Sequence, residues 1–312
     1  MTVTAERPGK VSPAAPKAGL SDRAKAEYRL GWMLSAPAVI VMLLVTAYPM
    51  INAVWLSLFQ YRLTDPANRE FIGLSNYWII LRDSLFWRDV GTTAVITLIT
   101  VVLELIIGMG FAMIMHKIIF ARGGVRTAIL IPYGAVTVVS AFAWRYAFQS
   151  DSGFVNSWLN TDTFNWFGHT WSSLLVICLS EIWKTTPFIA LLLLAGLAQV
   201  PDVLQEAAKV DGATAWQRFW KVTIPNMKAA IMVAVLFRTL AAWAIFDNIF
   251  VMTGGSANTE SLSFLTYRQS ITRVAIGLGS ALSVILFLSV VLIAFVFVKG
   301  FKVDLGSVRG DR

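Results

Sequence analysis

Charge is what this chain has least of for its length. Of 312 residues only 14% are Asp, Glu, Lys or Arg, against about a quarter in an ordinary soluble domain, and the shortfall excludes a water-facing globular surface. Cysteine occurs once, as Cys178, and histidine twice, as His116 and His169. One thiol closes no disulfide, and the two imidazoles fall on opposite sides of the topology derived below, so no metal set is expected. His116, beside Lys117, reads as an interfacial residue. A Gly-rich phosphate loop of the GxxxxGK type and a nucleophile elbow are both missing, so any ATP that drives this protein is expected on another chain. No secretory leader is expected. The first apolar run begins about 30 residues in and exceeds the usual apolar core of about 7 to 15 residues, so it is expected to stay as an anchor.

What the chain has is hydrophobicity, at 57% of its residues. A hydrocarbon core about 30 Å thick takes about 20 apolar residues per helical crossing, because each backbone amide there must be paired within its own segment. Six such stretches are predicted: Trp32 to Phe59, Val90 to Met115, Thr127 to Phe148, Ser172 to Leu197, Ala229 to Met252 and Val274 to Val298. The predicted fold class is an all-α integral membrane protein with six transmembrane helices and both termini on one side of the bilayer. Segments 1–31, 116–126, 198–228 and 299–312 together carry 17 Lys and Arg, and segments 60–90, 149–170 and 253–273 carry 6. Basic residues accumulate on cytoplasmic flanks, so both termini are assigned to the cytoplasm. The same bias accounts for the net charge of +8, and no nucleic acid partner is expected.

The expected organisation is a cytoplasmic segment 1–30, disordered and then forming a short interfacial helix over Ser21 to Arg29, a transmembrane domain 31–298, and a cytoplasmic tail 299–312. Within the domain, the loop 199–228 on the inner side is the most patterned polar segment. Pro201 suits a first helical turn and Gly212, after Asp211, suits a left-handed helix end. Between them Val203, Ala207 and Val210, with Leu204 and Ala208, recur at helical spacing. The alanines keep this face narrow enough for a partner's groove, and Glu206 offers a carboxylate to an arginine there. A second short helix is expected at about Ala213 to Trp220. On physical grounds alone the segment reads equally as an amphipathic helix resting on the bilayer.

Charged groups inside apolar stretches face cavities or partners, because each costs about 2.5–3.5 kcal/mol on insertion scales. They are Glu104, Arg145, Glu181, Lys184, Arg238 and Asp247. Glu181 and Lys184 stand at i and i+3 and are placed to neutralise one another. Arg145, near a helix end, is expected to snorkel, and Glu104 to pair across helices. Trp183, Phe188, Trp243 and Phe246 offer aromatic faces beside these charges. Trp55, Trp144, Trp158 and Trp171 read as belt anchors, and Gly108, Gly110, Gly277 and Gly279 as sites of close helix approach. An intramembrane enzyme using Glu104, Glu181 and Asp247 would need these to converge, and their spacing gives no sign of it. A self-powered transporter would more often show repeated halves with broken helices.

Glu206-Ala207-Ala208-x-x-Asp211-Gly212-Ala213, followed by Phe219, Val222 and Pro225, resembles the EAA loop of permease subunits of bacterial binding-protein-dependent ABC importers of type I. Ala229 departs from that pattern, where many members have a second proline. Phe71-Ile72-Gly73-Leu74-x-Asn76-Tyr77, Ile131-Pro132, Trp144-Arg145 with Phe148, and Phe246-Asp247 with Thr253-Gly254-Gly255 are similar to elements of the carbohydrate branch, the maltose and glycerol-phosphate type. Over its length the chain is most similar to actinobacterial, trehalose-importing members of that branch.

The resemblance implies a non-catalytic permease of the bacterial inner membrane that imports a sugar, such as the disaccharides trehalose or maltose. Glycerol-phosphate or an oligosaccharide is the alternative. It also implies a second homologous permease, an ATP-binding cassette ATPase dimer holding ATP and Mg, and an extracytoplasmic sugar-binding protein. No cofactor is expected on this chain. Glu206, Ala207, Ala208, Asp211, Gly212 and Pro225 map onto ATPase coupling. The family's sugar-contacting pattern N-x-W-x-G-x-P-Y maps onto Glu181, Trp183, Thr185, Pro187 and Phe188, with Glu181, Thr185 and Phe188 departing from it. With Lys184, Trp243, Phe246, Asp247 and Asn248 these form the candidate substrate set.

Overall fold

A computed structural model of the chain describes residues 22–118, 122–161 and 164–300. The chain divides into two compact units, 1–52 and 53–312. In the first, helix α1 (Asp22–Met42) runs through a π-helical turn at Leu43–Ala47 into α2 (Tyr48–Leu56), whose last residues belong to the second unit. The π turn immediately precedes Tyr48-Pro49. Proline has no N–H to return to the preceding turn, and a π turn is one way the ladder adjusts. The expected break after Arg29 does not occur, since no residue there stops the helix and α1 continues to Met42. The expected tail over residues 1–19, and all but the first two residues of the 299–312 tail, lie outside the described residues.

The second unit opens with a hairpin of β1 (Phe59–Arg62) and β2 (Asp65–Phe71), antiparallel with Phe59 opposite Phe71 and Arg62 opposite Asp65. Short α3 (Ser75–Arg82) leads to the long α4 (Ser84–Lys117), begun by the Asp83 carboxylate accepting from Leu85 N–H at 2.9 Å. Then come α5 (Arg122–Gly134), α6 (Thr137–Ala147), α7 (Phe154–Leu159) and α8 (Thr170–Leu197). The inner loop folds as α9 (Asp202–Val210), α10 (Ala215–Arg218), a π turn at Phe219–Thr223 and α11 (Ile224–Asn226). The remaining elements are α12 (Lys228–Trp243), α13 (Asp247–Met252), α14 (Leu262–Tyr267), a π turn at Arg268–Thr272 and α15 (Ile276–Gly300).

Among the described residues five spans qualify by length and composition as membrane crossings: Ala26–Leu56, Ser84–Lys117, Thr170–Leu197, Lys228–Met252 and Ile276–Gly300. The third stretch expected from the sequence is not one straight helix. Its halves α5 and α6 meet at 89°, and six crossings result only if that bent pair is a single span. Pro132 removes a backbone donor and Gly134 supplies a flexible end, so the ladder breaks at Ala135 and Val136. The fifth stretch breaks as well, between α12 and α13, where Phe246 leaves helical geometry at φ −138° and ψ −56°.

The core lies where α4 and α8 pack together and α12 closes over them. One cluster gathers Ile96, Val176, Ile177, Ile182 and Ile249, and another Met109, Ala112, Ile189, Leu193 and Ala234. Close approach needs small residues here. A Cβ at Gly108 would meet the Ile189 side chain at 3.0 Å and the Ala190 backbone nitrogen at 3.3 Å. Gly110 faces open space and Gly277 abuts the Phe59 carbonyl, so of the expected glycine contacts only that of Gly108 joins two long helices. Gly196, against Ala230 of α12, is a second such contact that the sequence reading passed over.

Candidate functional site: a buried charge network beside a polar cavity

Three of the intramembrane charges converge. Glu104 on α4 is fully buried and Arg238 on α12 nearly so. The Arg238 guanidinium donates through Nε to Glu104 Oε2 and through Nη2 to Glu104 Oε1 at 2.9 Å. The same Nη2 reaches Glu181 Oε1 on α8 at 3.1 Å. Glu181 Oε2 accepts from the Asn248 amide on α13, and Thr185 Oγ1 lies 2.7 Å from both Glu104 Oε1 and the Glu181 carbonyl. A planar guanidinium suits two carboxylates better than an ammonium does, and low-dielectric burial demands that each lone pair be met. The expected neutralisation of Glu181 by Lys184 therefore does not form. Arg238 and Asn248 occupy both Glu181 oxygens. Glu104 does pair across helices, as its position suggested. Arg145 donates from Nη1 to the Val251 carbonyl at 2.7 Å, tying α6 to α13.

Against this network lies a cavity of about 190 Å³, lined by Thr137, Glu181, Lys184, Phe246, Asp247 and Asn248 among others. The α12–α13 break builds it, because leaving the helix at Phe246 turns Asn248 inward and sets Asp247 in the first turn of α13. Lys184 and Asp247 have no hydrogen bond or ion pair among the described residues. The cavity thus presents a free cation and a free carboxylate beside charges already satisfied.

The other candidate residues are placed apart from it. Thr185 lies beneath the cavity in the Glu104 contact. Trp243 donates from Nε1 to Ser289 Oγ on α15 at 2.8 Å. Phe188 stacks on Tyr133, with ring centroids 5.5 Å apart and planes at 16°. Trp183 turns to a second, aromatic cavity of about 580 Å³ with Trp144, Phe148, Phe154 and Trp158.

A polar cluster that the sequence reading missed sits at the other end of α4 from Lys117. Asp89 and Glu260 are both buried, and Arg88 and Arg268 bind them, with Arg268 Nη1 2.7 Å and Arg88 Nη2 3.8 Å from Glu260 Oε2. Burial pushes the Glu260 carboxyl above its ordinary value, against the pull of Arg268 and Arg88. Arg88 Nη1 also donates to Asn258 Oδ1 at 2.9 Å, and Leu262 N–H donates to Thr93 Oγ1 at 3.0 Å. The loop after α13 is laid over this cluster through left-handed residues Gly254, Gly255, Ala257 and Asn258. Thr253 Oγ1 holds it from within, 2.7 Å from Thr259 Oγ1. The only sequence signal was the pair of arginines that a membrane flank already explains.

In the inner loop, Asp202 begins α9 after Pro201, and Gly212 ends it at φ +78°. Ala213 N–H donates to the Ala208 carbonyl at 2.9 Å across that end. The second short helix is shorter than expected, four residues, because Thr214 and Gln217 form a reciprocal cap and a π turn follows before Pro225. Gln205 donates to Thr223 Oγ1 at 3.0 Å, and Gln205 and Ala208 mark the covered side of α9. Val203, Glu206, Ala207 and Val210 stand on the uncovered side, Val203 at 73% and Val210 at 87% exposure. Among the described residues Glu206 and Asp211 side chains have no polar partner.

Residues 104–301 match the family model described as binding-protein-dependent transport system inner membrane component. The chain is 49% identical over 276 residues to the trehalose transport system permease protein SugA of Mycobacterium tuberculosis, covering 88% of this chain and 90% of that protein. It is 35% identical over 278 residues to the trehalose/maltose transport system permease protein MalF of Thermococcus litoralis, covering 88% and 94%. A chain of a bacterial ABC transporter involved in import of the acidic polysaccharide alginate superposes with a TM-score of 0.77 at 20% identity, covering 91% of this chain and all of that one. At that identity the likeness speaks for the fold.

Proposed function

We propose a neutral sugar, a disaccharide such as trehalose or maltose, as the solute carried by this chain, which belongs to the family of binding-protein-dependent transport system inner membrane components. As such it is a membrane-embedded, non-catalytic permease of an ABC importer. The observation that carries the sugar reading is the placement of uncommitted Lys184 and Asp247 in one cavity beside Phe246, next to a network whose charges, Glu104, Glu181 and Arg238, are paired with one another. A sugar hydroxyl both donates and accepts, so an ammonium and a carboxylate on one cavity wall match it without a net charge demand. The phenyl face of Phe246 supplies the apolar contact that a pyranose ring presents. The names of the two relatives point to the same solute class.

At about 190 Å³ the cavity is smaller than the ~300–1,000 Å³ of a complete small-molecule pocket. It is therefore one wall of a site, completed by a second, homologous permease. The uncovered side of α9, with Glu206 between Ala207 and Val210, fits a groove in an ATPase subunit, and ATP and Mg reside there. An extracytoplasmic binding protein delivers the sugar at the opposite face of a bacterial inner membrane. ATPase closure moves α9 and rocks the helices between outward- and inward-open states.

Uptake of radiolabelled trehalose and maltose into cells with and without this chain tests the reading. Uptake that requires the chain and is reduced in Lys184→Met and Asp247→Ala supports it. Sugar uptake that proceeds equally without the chain, or normal transport by both variants, removes this cavity from the path.

A further inference from the structure

A third cavity, of about 340 Å³, lies on the bundle-facing side of α9, between the end of α4 and the α10 segment. His116, Lys117 and Arg218 line it, together with Asp202, Gln205 and Thr223. In the two buried networks the cations are met by acids: Arg238 by Glu104 and Glu181, Arg268 and Arg88 by Glu260. His116, Lys117 and Arg218 have no hydrogen bond or ion pair from their side chains among the described residues. Asp202, at the start of α9 where a helix favours a carboxylate, offsets one charge and leaves the cavity positive whether or not His116 is protonated. The floor adds polar groups that remain usable: Gln205 spends one N–H on Thr223 Oγ1, which leaves its other N–H and the Thr223 hydroxyl proton to donate.

We propose that this cavity binds a phosphate group. Lys117 and Arg218 supply charge-assisted bonds, and Gln205 and Thr223 complete the shell. The phosphate comes from an anionic lipid headgroup or from a free cytoplasmic phosphate compound, since both present the same oxygens. Position favours the lipid. Trp216 and Trp220 stand exposed in the α10 segment at 69% and 52%, and indoles settle at headgroup level. The occupant sits behind α9, on the side away from Val203, Glu206 and Val210, so it wedges the bundle against the back of that helix and sets how firmly α9 is held.

The assembly purified through this chain, stripped of lipid in detergent, tests the proposal in two arms. One titrates phosphatidylglycerol against phosphatidylcholine and counts retained lipid by native mass spectrometry. The other titrates inorganic phosphate without anionic lipid and reads the melting temperature. Saturable binding in either arm that falls roughly tenfold or more in Lys117→Gln/Arg218→Gln supports the proposal, because each basic group near an anionic headgroup contributes about 1 kcal/mol. The charge-retaining Lys117→Arg/Arg218→Lys should restore it, which separates lost binding from lost folding. Lys209→Gln, on α9 but outside the cavity, should bind as the parent does. Equal binding by the parent and the Lys117→Gln/Arg218→Gln variant in both arms, or an equal loss in Lys209→Gln, overturns the site.

Discussion

Between α4, α8, α12 and α13, Arg238 is gripped by two carboxylates, and the second of these is covered by the Asn248 amide. On α9, by contrast, Val203 and Val210 stand bare and Glu206 has no polar partner among the described residues. The difference is one of solvent. Inside a bilayer an unmet charge has no water to fall back on, so the chain satisfies its own groups there. At the inner surface water tolerates an unmet carboxylate, and a helix left this open is available to another protein. Lys184 and Asp247 depart from this inside, as charged groups without a partner among the described residues that line a cavity of about 190 Å³.

The largest effect expected from disturbing this contrast is in the network. Arg238→Ala strands two buried carboxylates and should cost about 3–5 kcal/mol, seen as loss of folded protein in the membrane or a collapse of the melting temperature. A variant that melts with the parent would mean the charges find other partners. Next comes α9. Glu206→Ala/Gly212→Pro removes the uncovered carboxylate and forbids φ +78° at the helix end. Loss of one charge-assisted contact, ~1.5–3 kcal/mol, predicts at least about tenfold lower uptake and stimulated ATPase activity in an assembled complex. Unchanged coupling would leave α9 as a surface helix.

In the cavity, Lys184→Met should raise the KM for sugar about tenfold, since one hydrogen bond to a charged group is at stake, with little change in thermal stability because Lys184 holds nothing in place. A large stability loss instead would place Lys184 in the framework. The smallest effect is expected at Glu260. Its folded-state pKa lies above the ordinary value of 4.5, so its contribution to stability is full below about that pH and is lost as pH rises through the higher folded value. Glu260→Gln should flatten that decline in melting curves across about pH 4 to 8, from the ordinary carboxylate range to neutral. An unaltered pH profile would assign the trend to other groups.

Some of this was readable in advance. The apolar stretches marked the spans, Gly212 marked the end of α9, and the depth of Glu104 in its stretch called for a partner. The separation of Trp183 from Glu181 and Lys184 was also within reach. Two residues along a helix turn the side chain by about 200°, whereas Glu181, Lys184 and Phe188 at i, i+3 and i+7 share a face. Aromatic likeness to a family pattern drew Trp183 into the wrong group of neighbours for this geometry. The Asp89–Glu260 contact left no such mark, because 171 positions separate the two residues and neither lies in a periodic pattern.

The sequence alone determined that this protein lives in lipid and about where its long apolar segments lie, because solvent transfer energies and backbone hydrogen bonding act on each segment by itself. Which carboxylate takes Arg238, that α5 and α6 meet at 89°, and that Lys184 is left free were decided only when helices distant in sequence came together. Partner choice for a buried charge depends on who arrives within about 3 Å, and that is a property of packing.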